Sequence, residues 1–166
     1  AIERVAFDEK SQDIAIKTIG GKPAASLCGS GLIDAVGVLL ELGVIDQSGR
    51  MLTSDDAEQM PEKIRARMLE VDGQGAFILA RDGQDVILTQ RDIREVQLAK
   101  AAIRAGIKTL QAKAGVSDLD IQEYLVAGGF GNYIDAGHAM RIGLLPKVPL
   151  ERVRFVFFQP QHQKAK

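Results

Sequence analysis

The sequence predicts an α/β fold, a mixed sheet with packed helices, on three observations. β-branched runs at strand spacing open the chain and recur along it. Two stretches with helical apolar spacing carry start and stop signals at their ends. Finally, Tyr124-Leu125-Val126-Ala127 runs directly into Gly128-Gly129-Phe130-Gly131 and then into a helix. A short apolar strand opening into a glycine turn either brings bare backbone up to a ligand or makes a tight strand-to-helix connection, since glycine has no side chain to hold a base or phosphate away. Taken alone, the motif leaves both readings open.

Residues 2–7 and 14–19 carry near-continuous β-branched sequence around the polar stretch 8–12, which predicts two strands joined by a turn and ended by Gly20-Gly21. From Gly31 the positions Leu32, Val36, Leu39, Leu40 and Gly43 follow helical spacing, with Ser30 placed to cap the helix and Asp34 near its positive end. A turn over 46–49 follows, then polar sequence over 54–60 and 61–69 that reads as one or two short helices. Residues 76–80 and 85–89 flank Asp82-Gly83, a hairpin signal. Thr89 and Asp92 stand at capping-box spacing and open a helix that runs to about Ala114, where Gly115 stops it. Residues 152–158 read as a buried strand, and 159–166 (QPQHQKAK) as a polar tail, frayed or artificially appended.

At 166 residues, the chain suits one domain or a compact two-lobed one. Its 21 basic and 22 acidic residues leave no global field to draw in nucleic acid or an anionic membrane. Apolar runs such as 36–40 fall far short of the roughly 18–20 residues of a bilayer span, so no membrane association and a cytoplasmic location are expected. One cysteine, Cys28, makes neither an internal disulfide nor a thiolate cluster, and the absence of Trp argues against base-stacking platforms. Ala1 lies inside a strand, which suggests a piece of a longer protein.

At about 100° per residue, Ile93, Val96, Ile103, Ile107 and Leu110 share one broad face of the long helix, expected to be buried, with Gln97, Lys100 and Arg104 along its margin. That margin is either a solvated edge whose stems lie over the core, or a clamp whose stems pack on a planar base while their tips reach its edge and sugar.

The segments Leu27-Cys28-Gly29-Ser30-Gly31-Leu32-Ile33-Asp34-Ala35-Val36, Leu88-Thr89-Gln90-Arg91-Asp92-Ile93-Arg94-Glu95-Val96-Gln97-Leu98-Ala99-Lys100-Ala101-Ala102-Ile103, and Val126-Ala127-Gly128-Gly129-Phe130-Gly131-Asn132-Tyr133-Ile134-Asp135 occur in this order, with Ile142-Gly143-Leu144-Leu145-Pro146 after them. Together they resemble the carboxy-terminal domain of the reductive activators of corrinoid proteins, over most of residues 1–156. The resemblance implies an actin-like ATPase (ribonuclease H-like) lobe, as an incomplete fragment. Residues 1–158 would form part of the second lobe, with 159–166 outside it.

It also implies an adenosine site in which Gly128, Gly129, Phe130 and Gly131 support the nucleoside and Gln97, Lys100 and Arg104 cover the base. The turn at Gly29, Ser30 and Gly31 opens a helix, so its amides either face a phosphate or simply start a packed helix. No catalytic residue and no metal ligand is assigned. Cys28 is read as a small buried hydrophobe, Asp34 as a dipole partner, Asp92 as a cap, and His138 and His162 as lacking a triad partner. The implied cofactors are ATP or ADP with Mg, and a two-iron two-sulfur cluster in an N-terminal domain upstream of Ala1. The implied partner is a corrinoid protein or corrinoid methyltransferase component. The full-length protein would couple ATP binding and hydrolysis to cobalt(II)-to-cobalt(I) reduction, the fragment alone being inactive. Relatives end on a small-residue helix where this chain has Phe157-Phe158-Gln159-Pro160, so an apolar edge is expected to be exposed or paired in a homodimer. The alternatives are a fragment of a small-molecule kinase of the same fold and a non-catalytic interaction module.

Overall fold

The computed structural model describes residues 1–82, 84–127 and 134–156. The glycine turn at Gly128, Gly129, Phe130 and Gly131 lies outside the described residues, as do Gly83 and 157–166. The elements run β1 (Ile2–Asp8), β2 (Asp13–Thr18), α1 (Gly29–Glu41), α2 (Glu62–Arg65), β3 (Met68–Val71), β4 (Gln74–Ala80), β5 (Val86–Thr89), α3 (Gln90–Ala114), β6 (Tyr124–Ala127), α4 (Ala136–Arg141) and β7 (Val153–Val156). Among the described residues strand pairing is mixed and spread over three small sheets: β1 and β2 antiparallel, β3-β4-β5 antiparallel, and β6 and β7 parallel.

The β1-β2 hairpin and the helix after it follow the sequence reading, with one change at the helix start. The N-cap of α1 is Cys28, and Ser30 sits inside the first turn, where its buried hydroxyl donates to the Glu3 carbonyl at 3.0 Å. The helix packs so closely on β1 that a Cβ on Gly31 would collide with the Ile2 carbonyl oxygen. Glycine is required here for approach and not for its φ. The β4-β5 hairpin and the capping box of α3 form as expected, with Thr89 and Asp92 bonded reciprocally and Gly115 left-handed at φ 67.

Two stretches depart from expectation. Residues 68 and 69, read as the end of a helix, belong to β3, which pairs with β4 across a two-residue turn, Asp72-Gly73, in which both residues have positive φ (51 and 73). Only the single turn of α2 remains helical there. β7, expected to be buried, is half-buried, with Arg154 exposed on an ion pair to Glu123.

The core lies between the β3-β4-β5 sheet, α1 and the N-terminal turn of α3, where Phe77, Leu79, Leu88, Ile93, Leu39 and Ile45 are almost fully buried. Gln90, the first residue of α3, is buried among them. Its carbonyl accepts the Met51 amide at 2.7 Å and its amide donates to the Gly49 carbonyl at 2.7 Å, which pins the helix start to the turn at 46–49. Substituting Gly31→Ala is expected to destabilise the fold by about 2 kcal/mol through overpacking. Gly106→Ala, where nothing lies within 4 Å of the added Cβ, is expected to stabilise it by about 0.5–1 kcal/mol through helix propensity. Urea unfolding of the two variants checks the opposite signs.

Candidate functional site

Helix α3 is 25 residues long, or roughly 37 Å, and reaches well beyond the core. Beyond Asp92, its residues that are not exposed are Ile93, Val96, Gln97, Lys100, Arg104, Ile107 and Gln111. The polar stripe therefore lies on the packed face and not on its margin. Ile103 and Leu110, expected inside, are 50% and 68% exposed. The cause is what lies beneath the helix. Past Val96 its inner side meets backbone carbonyls and one carboxylate, and polar tips satisfy these better than apolar ones.

Each polar residue of the stripe has a partner in the chain. The Gln97 amide donates to the Ser48 carbonyl at 2.9 Å, and the Lys100 ammonium donates to the Ile142 carbonyl at 2.6 Å. Arg104 lies 3.7 Å from the Asp118 carboxylate through Nη2, while its buried Nη1 has no hydrogen-bond partner among the described residues. Between the turn at 46–49, α1 and α3 these contacts leave a cavity of about 70 Å³ lined by Val36, Ile93, Gln97 and Lys100. That is well below the roughly 300 Å³ at which ligand pockets begin. A nucleoside seated on this part of the stripe has to take over the places of the Ser48 and Ile142 carbonyls.

The other end of the stripe is more open. The C-terminal half of α3 and β6 flank an apolar groove of about 440 Å³ lined by Ile107, Gln111, Tyr124, Val126 and Leu145. Gln111 is buried there, and its carbonyl oxygen accepts no hydrogen bond among the described residues. Asp118 ties the two walls together. It takes the Lys108 ammonium at 2.7 Å, the Gln111 amide at 2.8 Å and the Tyr124 hydroxyl at 3.3 Å. The Lys108 and Gln111 bonds bring its carboxyl from 3.8 to about 2, against the smaller opposing effect of burial. No local pattern marks this hub, because Asp118 sits in a polar loop.

At the start of α1, Gly31 and Ser30 are buried and Gly29 is half-buried. The Cys28 thiol lies 3.1 Å from the Ser30 hydroxyl. Burial pushes that thiol up, and the Gly31 and Ser30 amides with the Ser30 hydroxyl more than offset it, leaving a lowered value.

Asp34 and His138 also depart from expectation. Asp34 is fully buried and bonded to other elements: its carboxylate accepts the Val5 amide at 3.3 Å and pairs with Arg4 Nε at 3.1 Å. His138 does have a carboxylate partner. Its Nδ1 lies 2.9 Å from Asp34 Oδ1, with the side chain 15% exposed. The sequence separation of 104 residues hides the pair from any local reading. Among the described residues no cluster of three or more His, Cys, Asp or Glu could hold a metal ion, and no helix is long and apolar enough to cross a membrane.

The family described as the C-terminal domain of RACo, the ASKHA domain, matches residues 1–156. The chain belongs to this family. The corrinoid activation enzyme RamQ of Eubacterium limosum is 38% identical over 160 residues, which cover 94% of this chain and 27% of that protein. A solved structure titled reductive activator for corrinoid, iron-sulfur protein superposes with a TM-score of 0.81 at 34% identity, covering 95% of this chain and 24% of that one. The chain thus spans about a quarter of the length of the relatives it matches. The mixed α/β architecture is accordingly that of part of an ASKHA domain.

The Asp118 hub has a testable pH signature. Because its folded-state value is lowered, its contribution is fully present above 3.8 and is lost as pH falls through about 2. Asp118→Asn is expected to cost on the order of 1 kcal/mol at pH 7, allowing for solvent screening at a partly exposed site. Urea unfolding from pH 7 to pH 3 should show a constant gap between variant and parent above about pH 4 that narrows below it.

Proposed function

We propose that this chain is the nucleotide-facing part of an ATPase domain. In the full-length protein that domain couples ATP binding and hydrolysis to the reduction of a corrinoid protein from cobalt(II) to cobalt(I). The observation that carries the reading is the family match across residues 1–156, together with likeness to a corrinoid activation enzyme and a reductive activator. The adenosine residues of the proposal are Gly128, Gly129, Phe130 and Gly131 with Gln97, Lys100 and Arg104.

Geometry supports a nucleoside on the α3-β6 side. The strand that leads into the glycine turn forms one wall of the larger groove, α3 forms the other, and a donor (Arg104 Nη1) and an acceptor (Gln111 Oε1) that lack partners among the described residues lie on the same helix. Those are the groups that fit a nucleotide. At the start of α1 the packing of Gly31 on β1 favours an architectural role, and the groove beside Gly29, lined by the Asp92 and Glu95 carboxylates, disfavours a phosphate there. When bound, ATP supplies the free energy of its phosphoanhydride. No described residue is assigned to Mg, and the lone Cys28 thiol does not fit an iron-sulfur cluster.

This chain's residues would bind and orient the nucleotide. Phosphoryl transfer needs metal ions and a positioned water acting together, and half a cleft does not pre-organise them. ATP turnover by the chain alone is therefore not expected. Calorimetric titration with ATP, with Lys100→Ala and Gly129→Val beside the parent, is expected to show binding weakened at least tenfold in both variants, or about 1.4 kcal/mol. Unchanged binding in both would remove the site from these residues.

A further inference from the structure

The cluster around Asp34 contains none of the proposed nucleotide contacts, yet it fixes the element that begins just beyond the glycine turn. Asp135 is the N-cap of α4, its Oδ1 accepting the His138 amide at 2.9 Å, and its Oδ2 lies 3.6 Å from Arg4 Nη2. His138, one turn into α4, meets Asp34 of α1 through Nδ1, and Asp34 in turn holds Val5 and Arg4 of β1. A carboxylate can only accept, so the ring nitrogen donates and the imidazole is held in one orientation. Steric fit points the same way. A Cβ on Gly37 would stand 2.7 Å from His138 Cβ, so α4 rests against bare α1 backbone at this point.

An apolar contact would dock a six-residue helix without desolvating a carboxylate, a cost that only matched donors offset. What the polar cluster adds is direction. Its bonds come from β1 and α1 and fix α4 both along its axis and about it. The upstream end of the 128–133 segment is held by β6, whose Ala127 pairs with Val156 of β7. The downstream end is held by Asp135 and His138. Resting on the nucleotide reading above, we propose that Asp34 and His138, with Arg4 and Asp135, are positioning residues: they hold the start of α4 against β1 and α1, and through it set the protein's affinity for the nucleotide.

The test uses the full-length protein with His138→Ala, His138→Asn, which keeps an N–H donor near the Nδ1 position, and the isosteric Asp34→Asn. ATP affinity is measured by calorimetry and hydrogen exchange is followed over residues 134–141. His138→Ala and Asp34→Asn are expected to weaken ATP binding about tenfold and to speed exchange over 134–141, and His138→Asn is expected to restore both to within about twofold of the parent. A merely structural role predicts equal loss in His138→Ala and His138→Asn, and that result overturns the inference. ATP affinity unchanged in His138→Ala and Asp34→Asn, with the parent binding normally, overturns it alone. A parent that binds no ATP overturns the nucleotide reading and this inference together.

Discussion

A carboxylate with no solvent exposure sits where β1, α1 and α4 meet, and the arrangement of those three elements depends on satisfying it. Asp34 lost its water on burial, which costs several kcal/mol unless donors replace it. The Val5 amide, the Arg4 guanidinium and the His138 ring supply them, each from outside its own helix. Bare glycine backbone makes that convergence geometrically possible. Gly31 lets α1 lie against the Ile2 carbonyl, and Gly37 lets the His138 ring approach. Polar satisfaction and steric clearance are thus one constraint, met at residues spread over the whole chain.

Helix α3 answers a different requirement. Its first two turns are held as a core helix is held, by a capping box, by Ile93 in the apolar interior, and by the two hydrogen bonds of Gln90. Farther along, the surface beneath it is backbone, and the side chains turned inward become long and polar. Lys100 and Gln97 reach carbonyls, while Arg104 and Gln111 each keep one polar atom without a partner among the described residues. Unpaired buried polar atoms cost about 1–3 kcal/mol each. Of the two, Gln111 lines the larger groove beside β6.

Local signals in the sequence predict the structure where it obeys local chemistry. The capping box at Thr89 and Asp92, the stop at Gly115, the first hairpin and the strand before the glycine turn all depend on a few adjacent residues. The β3-β4 hairpin was equally local, since Asp72-Gly73 is the same signal as Asp82-Gly83, but the helical reading of 61–69 obscured it. Elsewhere the information was not local. A helical wheel identifies the stripe through Lys100 but not whether it faces inward, because that depends on Ser48 and Ile142, far away in sequence. The same holds for His138, whose partner comes from a helix folded 104 residues earlier. The three motifs that carry the family likeness survive this difficulty because they are sequence patterns, recognisable without knowing what each residue touches.

The bare patch at Gly37 also limits how α4 can move. With 3.6 residues per turn, rolling α4 about its own axis by even one residue would carry the imidazole off that patch and drive a neighbouring side chain into α1. Sliding along the axis would pull the ring away from Asp34 Oδ1, 2.9 Å from its Nδ1. Steric fit thus opposes rotation and polar bonding opposes translation, so the chain at Ile134 and Asp135 leaves from a fixed anchor.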